Sequence, residues 1–215
     1  PAGSALMTLI KICGITTLDD ALHASEAGAS ALGFNFWPRS KRYITPAAAA
    51  VITKKLPASV LKVGVFVDAP ETEFTAIAGQ AGLDIVQLHG SPSTLTPIRH
   101  WLAFSATEVG IRATMEKSGA EAFLIDTPAG DERGGTGRTF DWSLVTDLPG
   151  RIVLAGGLGP ENVAQAIRQV RPWGVDACSR LESSPGRKDH SKVLEFIRAA
   201  RSATDRKSTR LNSSH

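Results

Sequence analysis

The sequence predicts one (β/α)8 barrel, and three observations carry the prediction. Short β-rich apolar runs alternate with helical patterns eight times along the body of the chain. Most of the runs are continuously apolar rather than alternating, as in parallel strands covered on both faces. Chemically capable and glycine residues stand immediately after the first, second, fourth, sixth, seventh and eighth runs. A barrel gathers all those strand ends at one mouth. A doubly wound open sheet, the other architecture that alternation allows, would spread them along an edge.

In order, the strand-like runs are 8–13, 31–36, 61–66, 85–88, 101–105, 122–126, 151–155 and 174–177. Helical patterns fill the gaps at 17–27, 46–55, 71–81, 92–100, 111–118, 142–148, 160–170 and 190–203. Pro46, Pro92 and Pro160 each occupy a plausible first helical position. Thr17 with Asp20 resembles a capping box with Asp in place of Glu, and Gly28 suits a left-handed helix end.

The length of 215 residues suits one core and leaves an eight-fold barrel little room for insertions. The expected organisation is an extension over 1–7, the barrel over 8–201, and a polar, disordered and non-native tail over 202–215. From Arg201 onward stand four of the 24 basic residues and one of the 21 acids, so residues 1–200 carry 20 of each. The net +3 therefore belongs to the tail, and the body has no excess charge to attract nucleic acid or an anionic membrane. No run is apolar enough to span a bilayer. The two cysteines lack disulfide-framework or zinc spacing, which points to a reducing, cytoplasmic setting with no metal. Nothing signals an obligate interface, so a monomer is expected.

The chemistry-bearing residues follow the strands. Cys13 ends the first, where a thiolate could act as a base, although free cysteine is also a common buried hydrophobe. Asp126 closes the apolar sixth run, a costly place for a carboxylate unless it is solvated, paired or used. A long loop with Gly134-Gly135-Thr136-Gly137 follows it. Gly156-Gly157 follows the seventh strand and Cys178-Ser179-Arg180 the eighth, and these two loops form the usual phosphate site of barrels. Arg42, after the second strand, could clamp a carboxylate, while Arg39 and Lys41 read as solvated charge. His89 ends the fourth run, either as a substrate contact or as a satisfied strand-end histidine.

Together, Lys11-Ile12-Cys13-Gly14-Ile15-Thr16, Gly33-Phe34-Asn35-Phe36-Trp37-Pro38-Arg39-Ser40-Lys41-Arg42, Val86-Gln87-Leu88-His89-Gly90, Leu124-Ile125-Asp126-Thr127, Ala155-Gly156-Gly157-Leu158 and the run 175–189 resemble the phosphoribosylanthranilate isomerase family, in order and spacing across nearly all of 8–200. The resemblance implies an Amadori rearrangement in tryptophan synthesis on a small phosphosugar, without cofactor. It implies Cys13 as general base, Asp126 as general acid and Arg42 on the anthranilate carboxylate. It also implies Gly156, Gly157 and Ser179 on phosphate, with His89 and Asp176 near the substrate. Cys178 and Arg180 replace the serine and glycine usual in the family, so they join the expected phosphate-binding set as departures from its pattern. An arginine there either strains a loop that needs positive φ or adds a cation beside the phosphate. Two other readings remain at this stage: another phosphosugar isomerase of the barrel class, or a non-catalytic phosphosugar-binding barrel inactivated at the last loop.

Overall fold

The computed structural model describes residues 7–90, 96–126 and 142–211, with side chains through 204. Its centre is a closed barrel of eight parallel strands in the order of the chain. These are β1 (Leu9–Ile12), β2 (Ala31–Asn35), β3 (Leu61–Val67), β4 (Ile85–His89), β5 (His100–Ser105), β6 (Ala122–Asp126), β7 (Ile152–Ala155) and β8 (Gly174–Ala177). The barrel closes between β8 and β1, where Lys11 lies in register with Asp176 and Ile12 with Ala177.

Alternation along the strands separates two apolar cores. Leu9, Ala31, Val63, Ile85, Trp101, Ala103, Ala122, Leu124, Val153 and Ala155 fill the barrel interior. Their chain neighbours Ile10, Leu32, Val86, Leu102, Phe104, Phe123, Ile125 and Leu154 face outward into the layer beneath the helices. Both faces are thus buried, which is why the strands read as continuous apolar runs.

The outer layer contains α1 (Leu18–Ala27), α2 (Pro46–Thr53), α3 (Glu71–Ala81), α4 (Ile111–Lys117), α5 (Val163–Val170) and α6 (His190–Leu211). The Thr17 hydroxyl caps α1 by accepting from Asp20 N at 3.2 Å, and Gly28 ends it at φ +104°. Asp20 does not complete a capping box. Its carboxylate accepts from Lys188 N and sits 2.9 Å from His190 Nε2, tying α1 to the chain after β8. Thr45 and Pro46 begin α2 as expected.

Four segments differ from expectation. Residues 91–95 lie outside the described residues, and 96–99 are not helical, so the helix expected at 92–100 is not seen where it can be checked. Pro97 has no N–H for a helix interior, and His100 joins β5 in register with Val86. After Gly159 the chain makes a turn before α5 starts at Val163. Asn162 holds that turn by accepting from Gly159 N at 2.9 Å and donating to Gly157 O at 3.0 Å. The segment expected to be helical at 142–148 is a 3-10 turn over Trp142–Val145. Finally, α6 runs on to Leu211 through residues whose composition predicts disorder.

Candidate active site

The mouth of the barrel is built by side chains two apart on the inner faces of strands, because successive residues alternate between faces. Lys11 and Cys13 share one such face, Gln87 and His89 a second, and Asp176 and Cys178 a third. Across the β1–β8 seam, Lys11 Nζ donates to Asp176 Oδ1 at 2.8 Å with the lysine side chain wholly buried. Burial alone would discharge this ammonium. The charge of Asp176, and then that of Cys13, outweighs burial and raises its pKa.

Cys13 stands at the top of the same seam, with its N–H donating to Ala177 O at 2.9 Å. Its sulfur lies where strand β2 has no side chain: a Cβ at Gly33 would come within 2.7 Å of Cys13 Sγ and 3.1 Å of Lys11 Nζ. The thiol is held below the ordinary range, at about 6. A hydrogen bond from Cys178 is the main cause, and the Lys11 charge assists against the opposing effects of burial and Asp176. Cys178 moves the other way, upward, through its interaction with Cys13 and its own burial, and its sulfur also donates to Glu182 Oε1 at 3.9 Å.

Asp126 ends β6, well around the barrel from Cys13, with an exposed carboxyl. Partial desolvation at the mouth, followed by the charge of Asp176, raises its pKa. Between these groups, His89 Nε2 lies 2.8 Å from Gln87 Nε2. Burial and then the Lys11 charge lower the histidine to about 4, so its ring is neutral at pH 7. A neutral ring accepting at Nε2 carries its proton on Nδ1.

Arg42 reaches the mouth from the loop after β2, as expected, but its fork is already engaged. Nε and Nη2 donate to the two oxygens of Glu182 at 2.8 and 2.7 Å. Glu182 opens a small hairpin of β9 (Glu182–Ser184) and β10 (Arg187–Lys188), turned by Pro185 and Gly186. The same carboxylate accepts from the wholly buried Lys188 Nζ at 3.3 Å and from Gly186 N at 3.3 Å. Burial would raise Glu182, but the Arg42 hydrogen bond and the Lys188 charge lower it on balance. Lys188 Nζ also donates to Cys178 O at 3.2 Å, so the hairpin supports the seam directly.

The two loops expected to bind phosphate lie side by side on neighbouring strands. Gly156 and Gly157 adopt φ of +93° and +59°, a left-handed path that side chains disfavour. Ser179 begins a 3-10 turn over Ser179–Leu181. Arg180 is not among the residues of positive φ, so its side chain strains nothing in that loop. Its guanidinium pairs with Glu161 Oε1 at 2.6 Å and bridges the chain after β7 to the chain after β8. Arg39 lies over the Trp37 ring at 5.3 Å, as a surface residue. The Gly134-Gly135-Thr136-Gly137 loop lies outside the described residues.

The site residues not singled out from sequence are Lys11, Gln87, Glu182 and Lys188. Period-two spacing before Cys13 and His89 was available as a signal for the first two. Glu182 carries no such signal, because its arginine partner is 140 positions away.

A model of the family described as N-(5'phosphoribosyl)anthranilate (PRA) isomerase matches residues 10–199. The N-(5'-phosphoribosyl)anthranilate isomerase of Solibacter usitatus is 46% identical over 201 residues, covering 91% of this chain and 98% of that protein. The crystal structure of phosphoribosyl anthranilate isomerase from Thermotoga maritima superimposes with a TM-score of 0.82 at 41% identity, covering 91% of this chain and 100% of that one. A structure of monomers generated from the dimeric Thermotoga maritima enzyme matches with a TM-score of 0.76 at 39% identity, with the same coverage.

Proposed function

The chain belongs to the N-(5'-phosphoribosyl)anthranilate isomerase family, and on that premise we propose which of its residues carry out the reaction. The enzyme converts N-(5-phosphoribosyl)anthranilate to 1-(2-carboxyphenylamino)-1-deoxyribulose 5-phosphate, an aldose-to-ketose (Amadori) isomerisation in tryptophan synthesis. Asp126 donates a proton to the furanose ring oxygen, the C1–O bond breaks, and the anthranilate nitrogen lone pair forms a Schiff base. Cys13 then takes the proton from C2. The resulting enolamine tautomerises to the ketose, with the proton reaching C1.

The observation that carries this reading is the opposed pair at one mouth. Cys13 is held ionised near neutral pH, and Asp126 is biased towards its protonated form. One base and one acid of opposite tendency are what the two proton transfers need. Gly156, Gly157, Cys178, Ser179 and Arg180 form the phosphate end, chiefly through backbone N–H groups, with Arg180 clasping the two loops together. Arg42 keeps N–H groups beyond those that Glu182 takes, and offers them to the anthranilate carboxylate. His89 and Asp176 shape the floor beneath the sugar. With both ends of the substrate anchored, orientation supplies much of the rate.

The test is loss of anthranilate-type fluorescence on turnover of N-(5-phosphoribosyl)anthranilate. Cys13→Ala and Asp126→Asn should each abolish turnover while leaving the far-ultraviolet circular dichroism unchanged. Full turnover by either variant sinks its assignment. We further infer a monomer working in the cytoplasm, supported by two free thiols and by the small number of large apolar residues exposed among the described residues, Met7, Tyr43, Val51, Val109 and Leu144. Light scattering giving twice the chain mass would overturn the monomer, as the dimeric Thermotoga maritima relative makes worth checking.

A further inference from the structure

The catalytic thiol has a second thiol as its neighbour across the barrel seam. Ile12 of β1 and Ala177 of β8 are register partners, so Cys13 and Cys178 occupy the next rung. Neighbouring strands run about 4.8 Å apart, inside the Cα separation that a disulfide accepts, about 4.4–6.8 Å. The backbones are pinned there by the bond from Cys13 N to Ala177 O at 2.9 Å, which sets the two side chains side by side on the inner face of the seam. Both residues keep partial solvent access, and both are free thiols. Lys188 Nζ lies 3.9 Å from Cys178 Sγ, a cation that favours thiolate character there once the neighbouring negative charge is gone.

We propose that Cys13 and Cys178 form a reversible disulfide when the enzyme meets hydrogen peroxide or an organic hydroperoxide, and that this switches the isomerase off. The Cys13 thiolate attacks a peroxide oxygen, the O–O bond breaks, and hydroxide departs to become water. Cys13 is then a sulfenic acid. Cys178 sulfur attacks Cys13 sulfur, the S–S bond forms, the S–O bond breaks, and the oxygen leaves as water with the Cys178 proton. Two thiols lose two electrons, and one hydrogen peroxide becomes two waters. The closed bond removes the base and pulls the loop after β8 toward β1. A dithiol reductant reverses both effects, and the rapid closure shields Cys13 from irreversible sulfinic oxidation. The switching-off rests on the reading of Cys13 as base, whereas formation of the bond does not.

The test treats the full chain with hydrogen peroxide, blocks free thiols with iodoacetamide, and maps peptides by mass spectrometry with turnover measured in parallel. The wild type should lose both thiols to one Cys13–Cys178 peptide within a single chain. Its turnover should fall at least tenfold and return on dithiothreitol. Cys178→Ser, compared with its own untreated rate, should lose turnover with Cys13 as sulfinic acid and not recover. A wild type that ends with sulfinic Cys13 beside free Cys178, or with disulfides only between chains, overturns the proposal. An internal disulfide with undiminished turnover would overturn the switch together with the assignment of Cys13 as base, so the two failures are distinguishable.

Discussion

Replacing Cys178 by alanine removes the hydrogen bond that does most to keep Cys13 ionised. With the thiol at about 6, about nine-tenths of Cys13 is thiolate at pH 7. At an unperturbed value near ~8.5 the fraction falls to about 3%. Burial outweighs the Lys11 charge that remains, so without the Cys178 bond the thiol returns at least to its unperturbed range and the expected loss in kcat/KM at pH 7 is about 30-fold or more. The direction with pH is fixed. A base of lowered pKa loses activity only as pH falls through about 6, so the wild type should be flat from pH 7 upward on its acid limb. In Cys178→Ala that limb moves to about pH 8.5 or above, and the two enzymes approach one another only at the alkaline end of the range. Cys178→Ser, with a better donor in the same place, should keep the limb at or below its wild-type position. The assay is kcat/KM from the fluorescence progress curve between pH 5.5 and 9.5. An acid limb unmoved in Cys178→Ala would refute the hydrogen-bond argument. An equal loss at every pH would show that Cys178 acts on phosphate and not on Cys13.

Asp126→Asn should remove the descending limb along with turnover, since the raised carboxyl must be protonated to donate; a residual rate that still titrates on the basic side would point to another acid. Glu182→Gln leaves the wholly buried Lys188 without its countercharge and should cost about 3–5 kcal/mol of stability in urea unfolding. Because its folded pKa is lowered, the ionised Glu182 stabilises above its unfolded value near ~4.3, and that contribution disappears as pH falls further. The mutant should therefore lose less stability than the wild type below pH 4. Arg180→Ala breaks a pair whose side chains are 34% and 53% exposed, so Tm should change by the equivalent of no more than about 1 kcal/mol. Gly157→Ala puts a side chain at φ +59° and should cost about 1 kcal/mol while raising KM through the phosphate end.

The barrel was legible because each strand is buried on two faces and so announces itself as an apolar run. The helices were legible where caps are local, as at Thr17 and Thr45. Reading failed where proline served two meanings. Pro46 does start a helix, but Pro97 interrupts the segment before His100, and Pro160 sits in a turn that Asn162 organises through backbone groups. In the proposed site, Cys13, Asp126 and the glycine loops stand at strand ends, where position makes them candidates and the resemblance supplies their roles. Lys11 lies one pleat below Cys13 in a motif that includes it, yet its role depends on Asp176, which joins it only when the ring of strands closes. Glu182 and Lys188 follow the last strand without a spacing that marks them. Only the hairpin between them places both beneath Arg42, and pairwise geometry of that kind has no sequence period.

The seam between β8 and β1 joins the first strand of the barrel to the last. Lys11 and Cys13 come from one side of it, Asp176 and Cys178 from the other. The proposed base therefore has no complete surroundings in a partial chain. A ribosome must release the final strand before the thiol acquires its donor and its buried cation acquires a counterion. Recovery of catalysis during refolding should thus time the closing of the ring itself, later than any signal from helix formation, and a chain broken elsewhere in the ring but joined across its ends would carry the same base.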